Sequence, residues 1–410
     1  MLIYKIKRIK PNLLILILIA LAVSPAFALG DGNRNLLLIG VMGLSPIIIL
    51  HYSRFDRINI WLLLFMGSII VFPLIFHPES MRWSTVLYSV MFCLTFMAYS
   101  ELLQRSFFTP RYYQKLLKYL IYAYAITLVI QQFCVLTGLP IFNVSNYFPN
   151  EPWKLNSLAA EPSHSARIVA LLMYCYITIT ELLHKRIYNF KIHLKKDKWV
   201  WLAFIWVMVT MGSGIAFLFI GIVLLKFISL KNLAPLFFIG GVILFLVNNF
   251  NITAFDRTYK TVLATLTFNE EAIIEADHSA SFRIVPSIVL IKMIDVELID
   301  FWFGYGVDYI NTFMYRYMPG GGENVRGGGL FQVLTEFGFI SFILFVIFSF
   351  KECFDKRNMT LSIVFWFMLI ILNGINSQIT WLAIILLYSN RVLFNKYNNE
   401  KRFNISNLRI

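Results

Sequence analysis

Apolar residues run in blocks along nearly the whole chain, and several of these blocks are long enough to cross a hydrocarbon core of about 30 Å as helices. They fall near 12 to 29, 34 to 51, 59 to 76, 84 to 101, 116 to 138, 166 to 183, 198 to 211, 214 to 230, 234 to 250, 328 to 350, 359 to 375 and 378 to 392. The pattern predicts an all-α polytopic helical bundle of about twelve transmembrane helices. The polar connections are short, with two exceptions at 139–165 and 251–327. Ordinary connections have a median of about 4 to 6 residues, so the 251–327 segment is where function is expected first. Three regions follow: 1–250 with nine helices and the moderate loop, 251–327 as one large loop carrying short helices, and 328–410 with three helices and a C-terminal tail.

Composition agrees with that class. Hydrophobic residues make up 59% of the chain and charged residues 14%, against about 25% charged in soluble domains, and mean hydropathy is +0.70. Charge then orients the helices, because short cytoplasmic loops retain Lys and Arg. With the N-terminus inside and twelve alternating spans, 26 of the 36 basic and 7 of the 22 acidic residues fall inside, giving 26 − 7 = +19; the outer face has 10 − 15 = −5. The formal net charge of +14 is therefore an orientation signal, and nucleic acid is excluded as a partner. Lys185, Arg186, Lys191, Lys195, Lys196 and Lys198 form an inner basic stretch that faces membrane lipids. The first block, followed by Ala26-Phe27-Ala28, imitates a secretory signal but reads as a signal-anchor first helix. Cys93, Cys134 and Cys175 lie in predicted spans and Cys353 in an inner loop, which leaves no disulfide or CxxC metal pattern. No His/Cys/Asp cluster has metal-ligand spacing, and no metal or cofactor is expected.

The two outer loops hold the candidate chemistry. In 139–165, Asn150-Glu151-Pro152-Trp153-Lys154 precedes Glu161-Pro162-Ser163-His164-Ser165-Ala166-Arg167. Ser163 or Ser165 is expected to cap the helix that follows, with Arg167 in its first turn. A cation there opposes the helix dipole at about 1 kcal/mol or less, and a helix start with a guanidinium suits a phosphate. Glu161 and His164 are a candidate general base and its neighbour. In 251–327, Phe282, Val285, Val289 and Met293 recur at helical spacing beside Arg283 and Lys292, predicting a helix on the membrane surface. Next come Phe303-Gly304-Tyr305-Gly306, the aromatics Tyr309, Phe313, Tyr315 and Tyr317, and a glycine run from Pro319 through Arg326 to Gly329. Such glycine density predicts a mobile, close-approach backbone able to admit a bulky substrate.

Three pieces carry a family resemblance: Glu161-Pro162-Ser163-His164; Ser281-Phe282-Arg283 with Phe303-Gly304-Tyr305-Gly306; and Gly329-Leu330-Phe331-Gln332-Val333-Leu334-Thr335-Glu336-Phe337-Gly338-Phe339-Ile340. In this order and setting the chain resembles the O-antigen polymerase and ligase superfamily, and within it the Wzy-type polysaccharide polymerases. The resemblance implies a bacterial inner-membrane enzyme with a large periplasmic loop. Such enzymes join undecaprenyl-pyrophosphate-linked oligosaccharide repeat units in the periplasm, without a nucleotide sugar and with a chain-length regulator protein as partner. It also implies reliance on periplasmic arginines, here Arg167, Arg283 and Arg326. Relatives that act as ligases carry His-Asn where this chain has Arg326 and Gly327, and a Ser-x-Ser-Arg where it reads Met211-Gly212-Ser213-Gly214. Those departures favour polymerase over ligase and leave the base open among Glu161, His164, His278 and Glu336, Glu161 first. Departing diphosphate gathers negative charge, which bidentate guanidinium contacts hold at about 1.5 to 3 kcal/mol each. Tyr305, Tyr309, Tyr315 and Trp153 are expected to stack on sugar rings, with Lys292 and Glu336 as further substrate contacts. The competing readings are an O-antigen ligase acting on lipid A core and a lipid-linked oligosaccharide flippase. A flippase needs charges lining its spans, and this chain has few there, with Lys118 and Glu181 near span ends.

Overall fold

The computed structural model describes residues 10–24, 28–29, 34–52, 59–144, 147, 149–227, 253–318 and 327–407. Its helices are α1 Asn12–Ala22, α2 Leu36–Tyr52, α3 Ile60–Phe76, α4 Trp83–Arg105, α5 Pro110–Thr137, α6 Pro162–His184, α7 Phe190–Lys196, α8 Lys198–Thr210 and α9 Gly214–Leu224. They continue with α10 Thr253–Leu266, α11 Glu270–Ala276, α12 His278–Lys292, α13 Ile299–Phe303, α14 Phe331–Cys353, α15 Met359–Trp366 and α16 Gln378–Asn407. Among the described residues the one strand pairing is Ala28–Leu29 with Arg34–Asn35, two residues each. A helix stands in every apolar window except 234–250, which lies outside the described residues. Helices α4, α5, α6 and α14 are long and apolar enough to cross a membrane.

Helix α6 is the axis of the bundle, buried along almost its whole length and packed by α5, α8, α9 and α16. Its start corrects the capping expectation. Glu161 occupies the cap position without a side-chain cap bond and Pro162 is the first helical residue, a place where proline loses no hydrogen bond. The Ser165 hydroxyl instead donates to the Asn156 carbonyl. Arg167 is thereby in the second turn, not the first, and the dipole penalty expected there is weaker because it fades within the first turn.

The ends of the bundle are built differently. At the Glu161 end, side-chain amides and hydroxyls hold the 139–161 loop: Gln131 Nε2 donates to Phe142 O at 2.8 Å, Ser157 N to Gln131 Oε1 at 2.8 Å, and Asn156 Nδ2 to Asn143 O at 2.8 Å. Gln378 Nε2 reaches the last carbonyls of α1, with Leu21 O at 2.7 Å. At the opposite end the ties are ionic: Lys226 to Glu181 at 3.0 Å, Arg357 to Asp355 at 2.9 Å, and Arg391 to Glu352. Buried polar groups must find such internal partners.

Residues 253–318 build a second small core from Ile273, Val285, Ile288, Val289, Leu290, Ile310, Met314 and Met318. The helix expected on the membrane surface is α12, and its apolar face is instead buried in this core; Met293, past its end, is exposed. Periodicity reported a buried face, and neighbouring segments of the same loop cover it.

This unit docks on α14 through glycine. Gly338 breaks the helix with φ 84° and ψ 167°, and a Cβ there would lie 2.3 Å from the Trp302 carbonyl oxygen. A Cβ on Gly304 would lie 2.4 Å from the Glu336 carbonyl oxygen. Tyr305 N–H donates to Thr335 O at 2.8 Å beside the break. Phe303 stacks on Phe76, centroids 4.3 Å apart, and Arg82 pairs with buried Asp308 at 2.7 Å. Gly338→Ala or Gly304→Ala should each cost on the order of 1–3 kcal/mol for the backbone conformation alone, with overlap adding to it. Gly40→Ala, which meets nothing within 4 Å, should be neutral or better. Thermal unfolding of the purified variants checks the contrast.

Candidate active site

The start of α6 gathers three of the expected residues. Glu161 Oε2 lies 3.8 Å from His164 Nε2 and accepts from Ser163 Oγ at 3.2 Å. Both Glu161 and His164 are partly exposed, 40% and 34% for their side chains, so a substrate can reach the pair. One turn on, Arg167 is 4% exposed. Its Nε donates to Ser163 O at 3.2 Å and its Nη1 to Asn373 Oδ1 at 2.5 Å.

Asn373 is held in turn by a wide helical turn. The segment Phe367–Ile371 is π-helical, a form found mostly as single turns and often at functional sites. Leu372 N donates to Phe367 O at 3.1 Å and Asn373 Nδ2 to Met368 O at 3.1 Å. Against this turn lies Gly329, φ +57°, where a Cβ would be 2.4 Å from Ile371 O, and Leu330 N donates to Ile371 O at 2.7 Å. Gly327 then abuts α12, its would-be Cβ 2.7 Å from Pro286 Cγ and 2.8 Å from Phe282 O. The strand of glycines therefore connects the Arg167–Asn373 contact to the α12 turn in which Arg283 falls. Gly327, Gly328 and Gly329 serve the close approach expected of the run. The side chain of Arg283, all of Arg326 and the stretch 319–326 lie outside the described residues.

The aromatic candidates divide. Tyr305 and Tyr309 stack, centroids 5.0 Å apart and 19° between planes. Their backbone anchor on Thr335 is four residues past Phe331, roughly 6 Å along α14. Burial, with Asp300, Tyr309 and Asp295 nearby, raises the Tyr305 phenol above its ordinary value, so it remains a proton donor across the neutral range. Tyr315 is on the outer 3₁₀ turn Met314–Tyr317 with the Arg316 guanidinium 5.7 Å from its ring centre. Trp153 is exposed and its carbonyl lies over Gly212, between α8 and α9. Lys292 pairs with Glu270 at 2.6 Å. Glu336 is 1% exposed, with Oε1 accepting from Gln332 Nε2 at 3.0 Å; it supports the first turn of α14 from within. The structure thus brings Glu161, His164 and Arg167 together, sets Tyr305 and Tyr309 along α14, and ties Trp153 and Lys292 elsewhere.

Sequence reading overlooked Asn373, the acceptor that orients Arg167, along with Arg82 and Asp308. Its signal was present: Asn373-Gly374-Ile375-Asn376-Ser377-Gln378 is a dense set of amides between apolar runs. Comparison of the chain with protein-family models, with curated proteins and with solved structures finds no match in any of the three.

Removing the Asn373 acceptor leaves a buried guanidinium short of a hydrogen bond. Asn373→Leu should destabilise by about 1–3 kcal/mol, whereas Asn373→Asp, which offers Arg167 a carboxylate, should match or exceed the parent protein. Midpoints of thermal unfolding in one detergent test the order.

Proposed function

We propose that the chain is a polymerase of lipid-linked oligosaccharide repeat units, a glycosyltransferase of twelve spans working on the periplasmic side of a bacterial inner membrane. The observation that carries this is the buried, pre-oriented guanidinium of Arg167, one turn from the partly exposed Glu161–His164 pair. The glycine contacts that lead from Asn373 to the α12 turn of Arg283 support the same reading. So does the charge count, which puts the Lys- and Arg-rich end inside and the Glu161 end outside. The motif resemblance supplies the substrate class.

In this reading the donor is a glycan on undecaprenyl pyrophosphate. The bond between the anomeric carbon and the pyrophosphate oxygen breaks, and a bond forms from that carbon to a hydroxyl oxygen of the incoming lipid-linked unit. The hydroxyl proton passes to the Glu161 carboxylate, with His164 beside it. Undecaprenyl pyrophosphate leaves with the electron pair, its charge met by Arg167, Arg283 and Arg326. Guanidinium suits that task because it presents paired donors in a fixed plane, and preorganised donors lower a barrier most. Tyr305 and Tyr309 offer a stacked aromatic face for sugar rings.

Arg283→Ala and Arg326→Ala should each preserve expression yet cut polymer formation on the order of 10²-fold, leaving surface polysaccharide of single repeat units. The corresponding Lys variants should recover only part, since an ammonium lacks the fork. Normal long-chain ladders on gels from both Ala variants would sink the clamp. The decisive assay mixes purified protein with lipid-linked repeat units and no nucleotide. Polymer is expected; transfer to lipid A core instead would identify a ligase, and no transfer would overturn the enzyme reading.

A further inference from the structure

One helix of the small unit built by residues 253–318 is inside out. Helix α10 turns Thr261 and Ala264 inward, Thr261 buried and Ala264 packed on the second core. Its bulky apolar residues Tyr259, Val262, Leu263 and Leu266 are exposed, Leu266 at 72%. They recur at i, i+3, i+4 and i+7, the spacing of a single helix face. A helix that hides threonine and shows leucine is built for apolar surroundings.

The exposed stripe does not end with the helix. Phe268, two residues on, is 64% exposed. The Lys292–Glu270 pair ties this end to the close of α12, after which Met293, Ile294, Val296, Leu298 and Ile299 are all exposed. Asp295 and Glu297 are interleaved with them. Trp302, also exposed, donates its indole N–H to Val296 O at 3.3 Å, which folds the segment back on itself. Its ring stands edge-on to Phe339, centroids 5.6 Å apart. Phe339 follows the Gly338 break in α14, a helix long and apolar enough to cross a membrane. At the other end α10 packs on the apolar helix α9, and Thr253 follows the apolar block 234–250 by three residues. Both ends of the exposed rim therefore merge with apolar helices of the bundle.

We infer that this rim is covered by a leaflet of the membrane, with α10 lying in the plane of the interface. Its 14 residues are too few to cross, which takes about 20. The stripe enters the boundary between headgroups and acyl chains by about 5–10 Å, and Trp302 sits at the headgroup level that suits an amphipathic ring. Continuity with the spanning helix decides for lipid over protein, since a partner seated on the rim would have to displace the lipid that surrounds α14. Charge narrows the surface further. Asp295 and Glu297 gain nothing from an anionic leaflet, so apolar area holds the unit down and a zwitterionic leaflet suffices. The inference does not rest on the transferase reading; under that reading it keeps the stacked Tyr305 and Tyr309 near the depth of a lipid-linked headgroup.

The test places one spin label at a time on the full chain in phosphatidylcholine nanodiscs, at Leu263→Cys, at Ile299→Cys and, for contrast, at Glu275→Cys on the exposed polar side of α11. Cys93, Cys134, Cys175 and Cys353 are buried, so the added thiol takes the label. Labels at Leu263 and Ile299 should be relaxed by oxygen, which concentrates in lipid, more than by a water-soluble nickel chelate, and the label at Glu275 should show the reverse. Adding phosphatidylglycerol in equal part should leave this pattern unchanged. Val262→Glu with Leu266→Glu should abolish the oxygen excess at Leu263 with little change in the thermal midpoint, because both side chains face away from the core. A nickel excess at Leu263 or Ile299 would put the rim in water, and shielding from both reagents would put protein on it, a second copy included. Either result would overturn the inference, as would an oxygen excess that needs phosphatidylglycerol or survives the paired glutamates.

Discussion

The contact on which the rest of the candidate site depends is the one between Gly329 and the backbone of Ile371 and Leu372. There is no room for a Cβ at that position, and Leu330 N–H closes the contact on Ile371 O. It fixes where α14 begins relative to the π turn Phe367–Ile371. Asn373 follows that turn by two residues, so the same contact decides where the Asn373 oxygen meets Arg167. Gly328 and Gly327 extend it to Leu290 and Pro286 of α12. Gly329 is registered against the π turn through main chain, while Gly328 meets the Leu290 side chain and Gly327 both the Pro286 ring and the Phe282 carbonyl. Main-chain contacts of this kind have little slack, because no side-chain rotamer can absorb an error.

The loop before α6 and the opposite end of the bundle satisfy their polar groups by different means. Around Glu161 the partners are mostly neutral: Gln131, Asn156, Ser157, Ser165 and Gln378 serve loop carbonyls and amides. At the opposite end, carboxylates and cations are matched within contact distance, as for Glu181 with Lys226 and Glu352 with Arg391. Matched buried pairs are costly to break, and they brace the helices against which the first end does its work.

Much of this was legible in the sequence, and what was not has identifiable reasons. The apolar blocks marked where helices stand but not how long they run: Asn12–Ala22 and Met359–Trp366 stop short of their blocks, and four described helices have the length and composition to cross a membrane. The start of α6 was misjudged because Pro162 and Glu161 compete with the serines for the cap, and a loop pinned by Ser165 to Asn156 uses up the hydroxyl that capping would need. For α12 the spacing of Val285 and Val289 marked a buried face, but periodicity carries no information about what buries it. The Gly304–Gly338 and Gly329–Ile371 approaches were invisible because a lone glycine reads equally as turn, linker or contact. Asn373 was missed for a related reason: one amide in an apolar region acquires meaning only when a partner some two hundred positions earlier is folded against it.

Arg167 also explains why the site is built on arginine. The guanidinium has five donors in one plane, and two of its nitrogens are committed to Ser163 O and Asn373 Oδ1. Two fixed directions determine a plane, so the orientation of the whole group is set by protein contacts before any anion arrives. The ordering cost is then met in folding and not at the moment of charge development, which is the condition under which an electrostatic contact is most effective. An ammonium on a flexible stem rotates about its own axis and gains no such fixed plane from two hydrogen bonds. Orientation by a neutral amide, at a helix start packed along its full length, is therefore the physical basis for the arginine and for its place on the most buried of the described membrane-length helices.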